Sequence, residues 1–231
     1  MNHLRYLSCL LIAILSISST KVTAQNAGRW YQVEVLIFKR NTLDSGTHAQ
    51  QEIWPTTIAL EYPDKYRFIQ NALPRSTHQL GGYNYTLRKS EQFEVLFHKA
   101  WNQQMWGENR STPLIIQAGE RHGEHWELEG SINIHIGRFL HFTTNLWLSE
   151  FIYGDTLNNE YSDWPVLPLL GKPNVPSSSN KEISNTPFSA SQVQVSRIVK
   201  FTERRSMRSK ETHYLDHPEM GIMVRMLPIK R

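Results

Sequence analysis

The most regular alternation of apolar and polar residues runs from position 126 to 148 and predicts a long β-hairpin. The apolar positions are Leu128, Ile132, Ile134 and Ile136 on the first strand and Leu140, Phe142, Leu146 and Leu148 on the second. Both sets share one face only if the turn contains three residues, 137–139, because a shift of one residue sends every side chain to the opposite face. This register pairs Ile136 with Leu140 on the apolar face and His135 with His141 on the polar face.

Four shorter segments also alternate and are predicted to be strands: 30–38, 112–117, 192–202 and 222–227. In the first of them Leu36 and Phe38 add apolar residues to the polar side, which indicates that both faces are covered near its end. Residues 83–88 and 213–215 fit short extended segments.

Residues 90–106 are predicted to form the main helix. Its apolar residues Phe93, Leu96, Phe97, Ala100, Trp101 and Met105 recur at helical spacing. Ser90 is a suitable N-terminal cap and Gly107 a suitable terminator. The aromatic stripe indicates a buried core face rather than a ligand-binding one, because buried aromatic rings dominate core energetics.

The order of these elements predicts an α+β fold, in which an antiparallel sheet with a long hairpin is packed by one main helix. A split βαβ or ferredoxin-like core is the topology that this order suggests. Residues 39–88 and 155–189 are rich in Pro, Gly, Asn and Ser and are predicted to be largely loop.

The N-terminus has the three parts of a secretory signal peptide. Arg5 gives a positive start, residues 7–17 form a short apolar run, and the small residues Val22 and Ala24 precede a cleavage point at Gln25. The apolar run is shorter than the roughly 20 residues that span a bilayer, which favours cleavage over an uncleaved anchor. We therefore expect residues 1–24 to be removed and residues 25–231 to work as a single exported domain.

Cleavage changes the chemistry that is available to the protein. The only cysteine, Cys9, leaves with the signal, so the mature chain has no disulfide, thiolate metal site or cysteine nucleophile. Removal of Arg5 and Lys21 leaves 23 of the 25 basic residues against 21 acidic ones, so the net charge falls from +4 to +2. This balance and the export signal argue against nucleic acid as a partner. No later stretch predicts a transmembrane segment.

Two groups of residues suggest metal binding or catalysis, and each has a simpler interpretation. His135 and His141 are neighbours on the predicted hairpin, but a metal site needs three or four ligands, so a solvated polar face is favoured. His213, Asp216 and His217 do not make a complete nucleophilic site, because neither a cysteine nor a GxSxG serine accompanies them. Asp216 before His-Pro is more typical of a turn. No catalytic residue, metal or cofactor is assigned.

Two other groups suggest ligand binding. Trp147 lies beside Asn145 and Thr143 on the polar face of the hairpin, where a flat ring suits the C–H face of a sugar and the neighbours suit its hydroxyl groups. The alternative is that another segment covers this face and Trp147 belongs to the core. The basic segment with Arg204, Arg205 and Arg208 could bind carboxylates in bidentate geometry, although charge runs are usually solvated.

Four segments together resemble the CsiV family of Gram-negative gammaproteobacterial envelope proteins. They read WYQVEVLIF at 30–38, FEVLFHKAWNQQMW at 93–106, GRFLH followed by LW within 137–147, and RRSMRSKETHYLDHPEMG at 204–221. The last is similar to the family motif RRMR-x-x-E-x-HY-x-DHP-x-x-G, with Ser206 as an insertion.

The resemblance implies a periplasmic, non-enzymatic protein that binds peptidoglycan. It also implies support of cell-wall synthesis through an outer-membrane lipoprotein that activates a class A penicillin-binding protein. The resemblance carries over no ligand residues, so the expected binding residues come from the faces and charges above: Thr143, Asn145, Trp147, Arg204, Arg205, Arg208, His213, Asp216 and His217. The alternatives are a peptidoglycan hydrolase that uses His213, Asp216 and His217, and a pure envelope scaffold.

Overall fold

Two antiparallel β-sheets make up most of the computed structural model, which describes residues 28–41, 59–153, 167–171 and 193–230. The strands within these residues are β1 Trp30–Arg40, β2 Phe93–Gln104, β3 Leu114–His122, β4 His125–Ile136, β5 Leu140–Tyr153, β6 Val193–Phe201, β7 Arg204–Met207, β8 Thr212–Asp216 and β9 Met220–Pro228. The first sheet has the order β2-β1-β9-β8. The second has the order β3-β4-β5-β6, and β7 also pairs with β5.

The core lies between these sheets, so the predicted α+β fold with a sheet packed by one main helix is wrong. One buried apolar cluster contains Val33 and Val35 from the first sheet together with Ile134 and Phe142 from the second. Each sheet thus buries its apolar face against the other, which is the sheet-on-sheet solution to covering an apolar face. The suggested ferredoxin-like core is excluded for the same reason.

The predicted helix at 90–106 is strand β2, which pairs along the whole of β1. Phe97, Trp101 and Met105 are buried in the core and lie four residues apart. That spacing places side chains on one face of a helix and equally on one face of a strand, since four is a multiple of the strand period of two. Pairing with β1 decides between the two structures.

The α-helix that the described residues form is α1, Gly81–Lys89. The sequence predicts a short strand at 83–88 instead. Leu87 of α1 and the preceding Leu80 pack on Leu36 and Phe38 of β1, in a second apolar cluster. The expectation that both faces of β1 are covered near its end is therefore confirmed. Two short 3-10 helices, Arg75–Thr77 and Glu108–Arg110, lie in the connections.

The predicted hairpin is confirmed in its register. Ile136 pairs with Leu140 and His135 with His141 across the turn at 137–139, and the pairing continues to Leu128 opposite Leu148. The predicted strands at 30–38, 112–117, 192–202 and 222–227 correspond to β1, β3, β6 and β9, and 213–215 lies in β8.

Three of the predicted segments lie wholly or partly outside the described ranges. These are the signal peptide at 1–24, residues 42–58 of the first loop-rich segment, and most of 155–189. Among the described residues, no helix has the length and apolar character needed to cross a membrane.

Candidate functional site

A cleft of about 680 Å³ opens where the end of β2 meets the start of β1 and the segments 67–73 and 106–112. Its volume falls within the roughly 300–1,000 Å³ range of small-molecule sites. Its aromatic lining residues are Trp30, Phe68, Trp101 and Trp106, its amides are Gln70, Asn71, Asn102, Gln103 and Gln104, and its cations are Arg67 and Arg110. Rings, amides and guanidinium groups therefore face one space.

The pairing of β1 with β2 places Trp30 beside the amides of β2. Trp30 lies opposite Gln104 in this ladder. The Gln104 side-chain amide donates to the Gly28 carbonyl oxygen at 2.8 Å. The indole N–H of the buried Trp101 donates to Gln103 Oε1 at 3.0 Å. These bonds hold in place two of the amides that line the cleft.

The opposite wall, 67–73, is attached to both sheets by its backbone. The Arg67 N–H donates to the Pro113 carbonyl and the Ile115 N–H donates to the Arg67 carbonyl, each at 2.9 Å. The Leu73 N–H donates to the Ala100 carbonyl at 2.7 Å. A segment without a regular strand or helix is thus held as a defined wall.

The rim of the cleft carries a cation–π pair. The Arg110 guanidinium carbon lies 3.9 Å from the centre of the Trp106 ring. Phe68 is 51% exposed on the facing segment. Within the described ranges no carboxylate pairs with the guanidinium group of Arg67, and partial burial lowers the pKa of this group. Such a rim can bind the apolar face of a sugar ring and the carboxylate of an attached peptide.

Trp147, the predicted sugar platform, is fully buried. It packs with Leu60, Leu167 and Ile198, and its ring centre lies 5.1 Å from that of Tyr62. Residues 60–62 cover Trp147 and also contact Asn145, whose side-chain amide donates to the Glu61 carbonyl oxygen at 3.1 Å. The structure therefore matches the alternative interpretation, in which another segment covers this face and Trp147 is core.

The pairing of β7 with β5 brings Arg204 next to Thr143 and onto the polar face of the hairpin. Arg204 Nη1 lies 3.1 Å from Glu108 Oε1, and Arg204 Nη2 lies 3.3 Å from His135 Nε2. The rings of His135 and His141 stack with centres 4.7 Å apart. His135 is buried, so the expectation of a solvated face is wrong at this position. Burial, with the nearby charges of His141 and Arg204, lowers the pKa of His135 although Glu108 opposes the shift.

The other predicted arginines lie apart from this contact. Arg205 lies in β7 opposite Phe142, is 47% exposed, and has Nη1 3.6 Å from Glu203 Oε1. Arg208 is exposed at the end of β7, where its backbone N–H lies 3.2 Å from His213 Nε2. The three guanidinium groups therefore do not form one anion-binding site with His135.

His213, Asp216 and His217 stabilise the strand ends and the turn around β8. His213 Nε2 contacts the backbone of Arg208, and His217 Nδ1 accepts from the Glu219 N–H at 3.1 Å. Asp216 Oδ1 accepts from the Tyr214 hydroxyl at 2.6 Å and from Arg40 Nη2 at 2.5 Å. Tyr214 and Arg40 lower the pKa of the Asp216 carboxyl. These contacts agree with the turn interpretation rather than with a nucleophilic site.

Another cluster of polar residues lies where residues 78–80, which follow the cleft wall in sequence, contact β1 and β2. Glu34, His78 and His98 come together there, with His98 Nε2 2.8 Å from Glu34 Oε1 and 3.3 Å from His78 Nδ1. Glu34 also accepts from the backbone N–H of Gln79 at 2.6 Å and of Leu80 at 3.0 Å. Burial opposes ionisation of Glu34, but these hydrogen bonds outweigh it and hold the pKa of the carboxyl below its usual value.

A family model described as peptidoglycan-binding protein, CsiV, matches residues 6–229. The chain belongs to the CsiV family. The resemblance seen in the sequence is therefore confirmed over nearly the whole chain. No curated protein and no solved structure shows significant similarity to it.

Sequence reasoning misses the cleft of this CsiV-family protein. It places residues 101–106, which read WNQQMW, in a helix whose aromatic residues face the core. As the end of β2 and the start of a loop, the same residues place Trp106 and the amides of Asn102, Gln103 and Gln104 along the cleft. The one available signal is the density of Trp and amide residues, since the wall at 67–73 has no periodic pattern.

Proposed function

We propose that the protein is a non-enzymatic periplasmic protein that binds peptidoglycan through the cleft between β1, β2 and residues 67–73. The CsiV family is described as peptidoglycan-binding, which supplies the ligand class. The observation that carries the assignment to this cleft is the stacking of Arg110 on Trp106 at the rim of an amide-lined space.

The cleft offers each type of contact that a peptidoglycan fragment needs. A sugar ring presents C–H groups that pack against an aromatic face and hydroxyl and acetamido groups that hydrogen-bond with amides. The stem peptides present carboxylates, which guanidinium groups bind in bidentate geometry. Trp106 and Phe68 supply the rings, Gln70 and Asn102 the amides, and Arg67 a cation.

Arg205 and Arg208 are proposed as additional contacts to stem-peptide carboxylates. Arg205 lies within β7, Arg208 directly follows this strand, and both side chains are exposed. Weak contacts of this kind are sufficient on a polymer, because a repeated epitope raises the overall avidity. The buried Trp147 and the segment-bound Asn145 are not part of this proposed surface.

The decisive experiment is sedimentation of the purified mature protein with peptidoglycan sacculi, followed by analysis of the soluble fraction for released muropeptides. We expect co-sedimentation without release. Trp106→Ala should lower the bound fraction. Trp126→Ala is the matched control, because Trp126 also lies under an arginine, with Arg121 5.9 Å from its ring centre. Equal loss in both variants would contradict the cleft assignment.

Release of muropeptides would contradict the non-enzymatic proposal and favour a hydrolase. A protein that neither sediments nor releases products would instead favour a scaffold.

The proposal also includes a role in cell-wall synthesis. The protein would support synthesis through an outer-membrane lipoprotein that activates a class A penicillin-binding protein. It rests on the family resemblance, and it predicts co-purification of that lipoprotein with the mature protein. Cross-linking in cells that retain or lack the lipoprotein tests it.

A further inference from the structure

We propose that Glu34, His78 and His98 bind one divalent transition-metal ion of the zinc class. The three residues come from β1, from the segment before α1, and from β2. They offer one carboxylate oxygen and two imidazole nitrogens, a ligand set that zinc accepts in proteins. Among the described residues, this is the group of metal-ligating side chains whose donor atoms converge on one point.

The spacing of the donor atoms fits a tetrahedral ion. Glu34 Oε1 lies 2.8 Å from His98 Nε2 and 3.7 Å from His78 Nδ1, and the two nitrogens lie 3.3 Å apart. Ligands about 2.0–2.1 Å from a tetrahedral zinc ion are separated from each other by roughly 3.3 Å. The triangle therefore needs only small side-chain adjustments to receive the ion.

The outer contacts orient the donor atoms toward this point. His78 Nε2 lies 3.3 Å from the Leu73 carbonyl oxygen, which can only accept a hydrogen bond. His78 Nε2 therefore carries the proton and leaves the Nδ1 lone pair facing His98 and Glu34. A histidine ligand whose other nitrogen donates to a carbonyl is the usual outer-shell arrangement of metal sites. The Gln79 N–H likewise holds Glu34 Oε2, so Oε1 faces the cluster.

The hydrogen bonds inside the cluster give His78 Nδ1 only a shared proton donor. Glu34 Oε1, which also accepts from the Leu80 N–H, and His78 Nδ1 both face the single N–H that His98 Nε2 can provide. One proton is thus shared by two acceptors in a buried space. A cation in place of that proton would contact all three ligand atoms at once. The fourth position of the tetrahedron would belong to water.

The site would connect three parts of the chain. It would tie the segment that contains His78 to β1 and β2, and the Leu73 carbonyl that receives His78 belongs to the wall of the cleft. Metal binding should therefore stabilise that wall together with the first sheet, because an ion that binds only the folded state shifts the folding equilibrium.

The test uses the untagged mature protein after treatment with a chelator. Isothermal titration calorimetry with ZnCl₂ measures Zn²⁺ binding. Visible absorption of the Co²⁺-loaded protein reports the coordination geometry. We expect one Zn²⁺ per chain, a tetrahedral Co²⁺ spectrum, and a higher melting temperature with Zn²⁺. His98→Gln should weaken Zn²⁺ binding at least about 100-fold, since even outer-shell losses cost 10- to 100-fold.

His141→Gln is the matched control, because His141 belongs to a stacked histidine pair outside the cluster. It should bind Zn²⁺ as the wild type does. Glu34→Gln provides a second ligand variant that retains one of the two oxygen acceptors for the backbone N–H groups of Gln79 and Leu80. Circular dichroism checks the fold of each variant. Absence of stoichiometric Zn²⁺ binding by the wild type would overturn the proposal. Unchanged affinity in folded His98→Gln and Glu34→Gln would also overturn it.

Discussion

Arg110 stacks on Trp106, with its guanidinium carbon 3.9 Å from the ring centre. Arg110 is the last residue of the 3-10 helix Glu108–Arg110, and Trp106 precedes this helix by two residues. The first residue of the helix, Glu108, pairs with Arg204 of β7. The rim of the cleft is therefore anchored to the polar face of the hairpin by an ion pair. This links the proposed binding site to the arginine-containing motif at 204–221.

The stacked pair should act as a unit in binding. Trp106→Ala and Arg110→Ala should each weaken binding of a soluble muropeptide by about 1–2 kcal/mol, roughly 5- to 30-fold in Kd. The double variant should lose less than the sum, because either change already removes the stacking contact. Titration calorimetry on the four proteins measures this coupling. Strict additivity would show that the two side chains contact the ligand independently.

Arg205 and Arg208 should contribute an electrostatic component. The double variant Arg205→Ala with Arg208→Ala should reduce retention on sacculi at low salt, and the difference should shrink as salt rises, because exposed charges are screened. Arg138→Ala, at the hairpin turn, is the control and should behave as the wild type. Unchanged retention of the double variant at low salt would remove these arginines from the proposed surface.

Trp147 should affect stability rather than binding. Trp147→Ala should lower the free energy of unfolding by about 3–5 kcal/mol, because it leaves a cavity under Tyr62 and Leu60. Urea unfolding measures this loss. The milder Trp147→Phe should remain folded and bind sacculi normally. Loss of binding in a stable Trp147→Phe protein would instead restore the sugar-platform role that the sequence suggested.

Gly130 is required where β4 approaches β5. Its φ is +124°, and an added Cβ would lie 2.2 Å from the Asn145 carbonyl oxygen. Gly130→Ala should therefore reduce the free energy of unfolding by at least about 2 kcal/mol. Gly82→Ala is the control, because nothing lies within 4 Å of the added atom on α1, and alanine favours an exposed helix. Similar melting temperatures for the two variants would contradict the strain argument.

His135 should make the protein less stable in acid. Burial beside Arg204 and His141 lowers the folded-state pKa of His135 below its ordinary value of 6.5, against the opposing charge of Glu108. The unfolded chain therefore binds the proton more readily, so stability is lost as the pH falls through 6.5 toward the folded-state pKa. His135→Gln should show a smaller loss between pH 7 and 5 in parallel urea titrations. An equal slope for both proteins would contradict this assignment.

The sequence by itself determined the hairpin and its register, because two apolar sets of period two can share one face in only one alignment across residues 137–139. It also determined the strands at 30–38 and 222–227, and the family through the motif at 204–221. Each of these features depends on the residues of one continuous stretch of chain. The alternation is strongest in the hairpin, where one face is apolar and the other is largely polar.

Tertiary structure decided the remainder. Phe97, Trp101 and Met105 satisfy both the helical and the strand period, so only pairing with β1 makes 93–104 a strand. Trp147 is core because residues 60–62 and Leu167 reach it from distant positions. The cleft and the cluster of Glu34, His78 and His98 likewise join segments far apart in sequence. Such sites have no local periodicity, and contacts between distant segments create them.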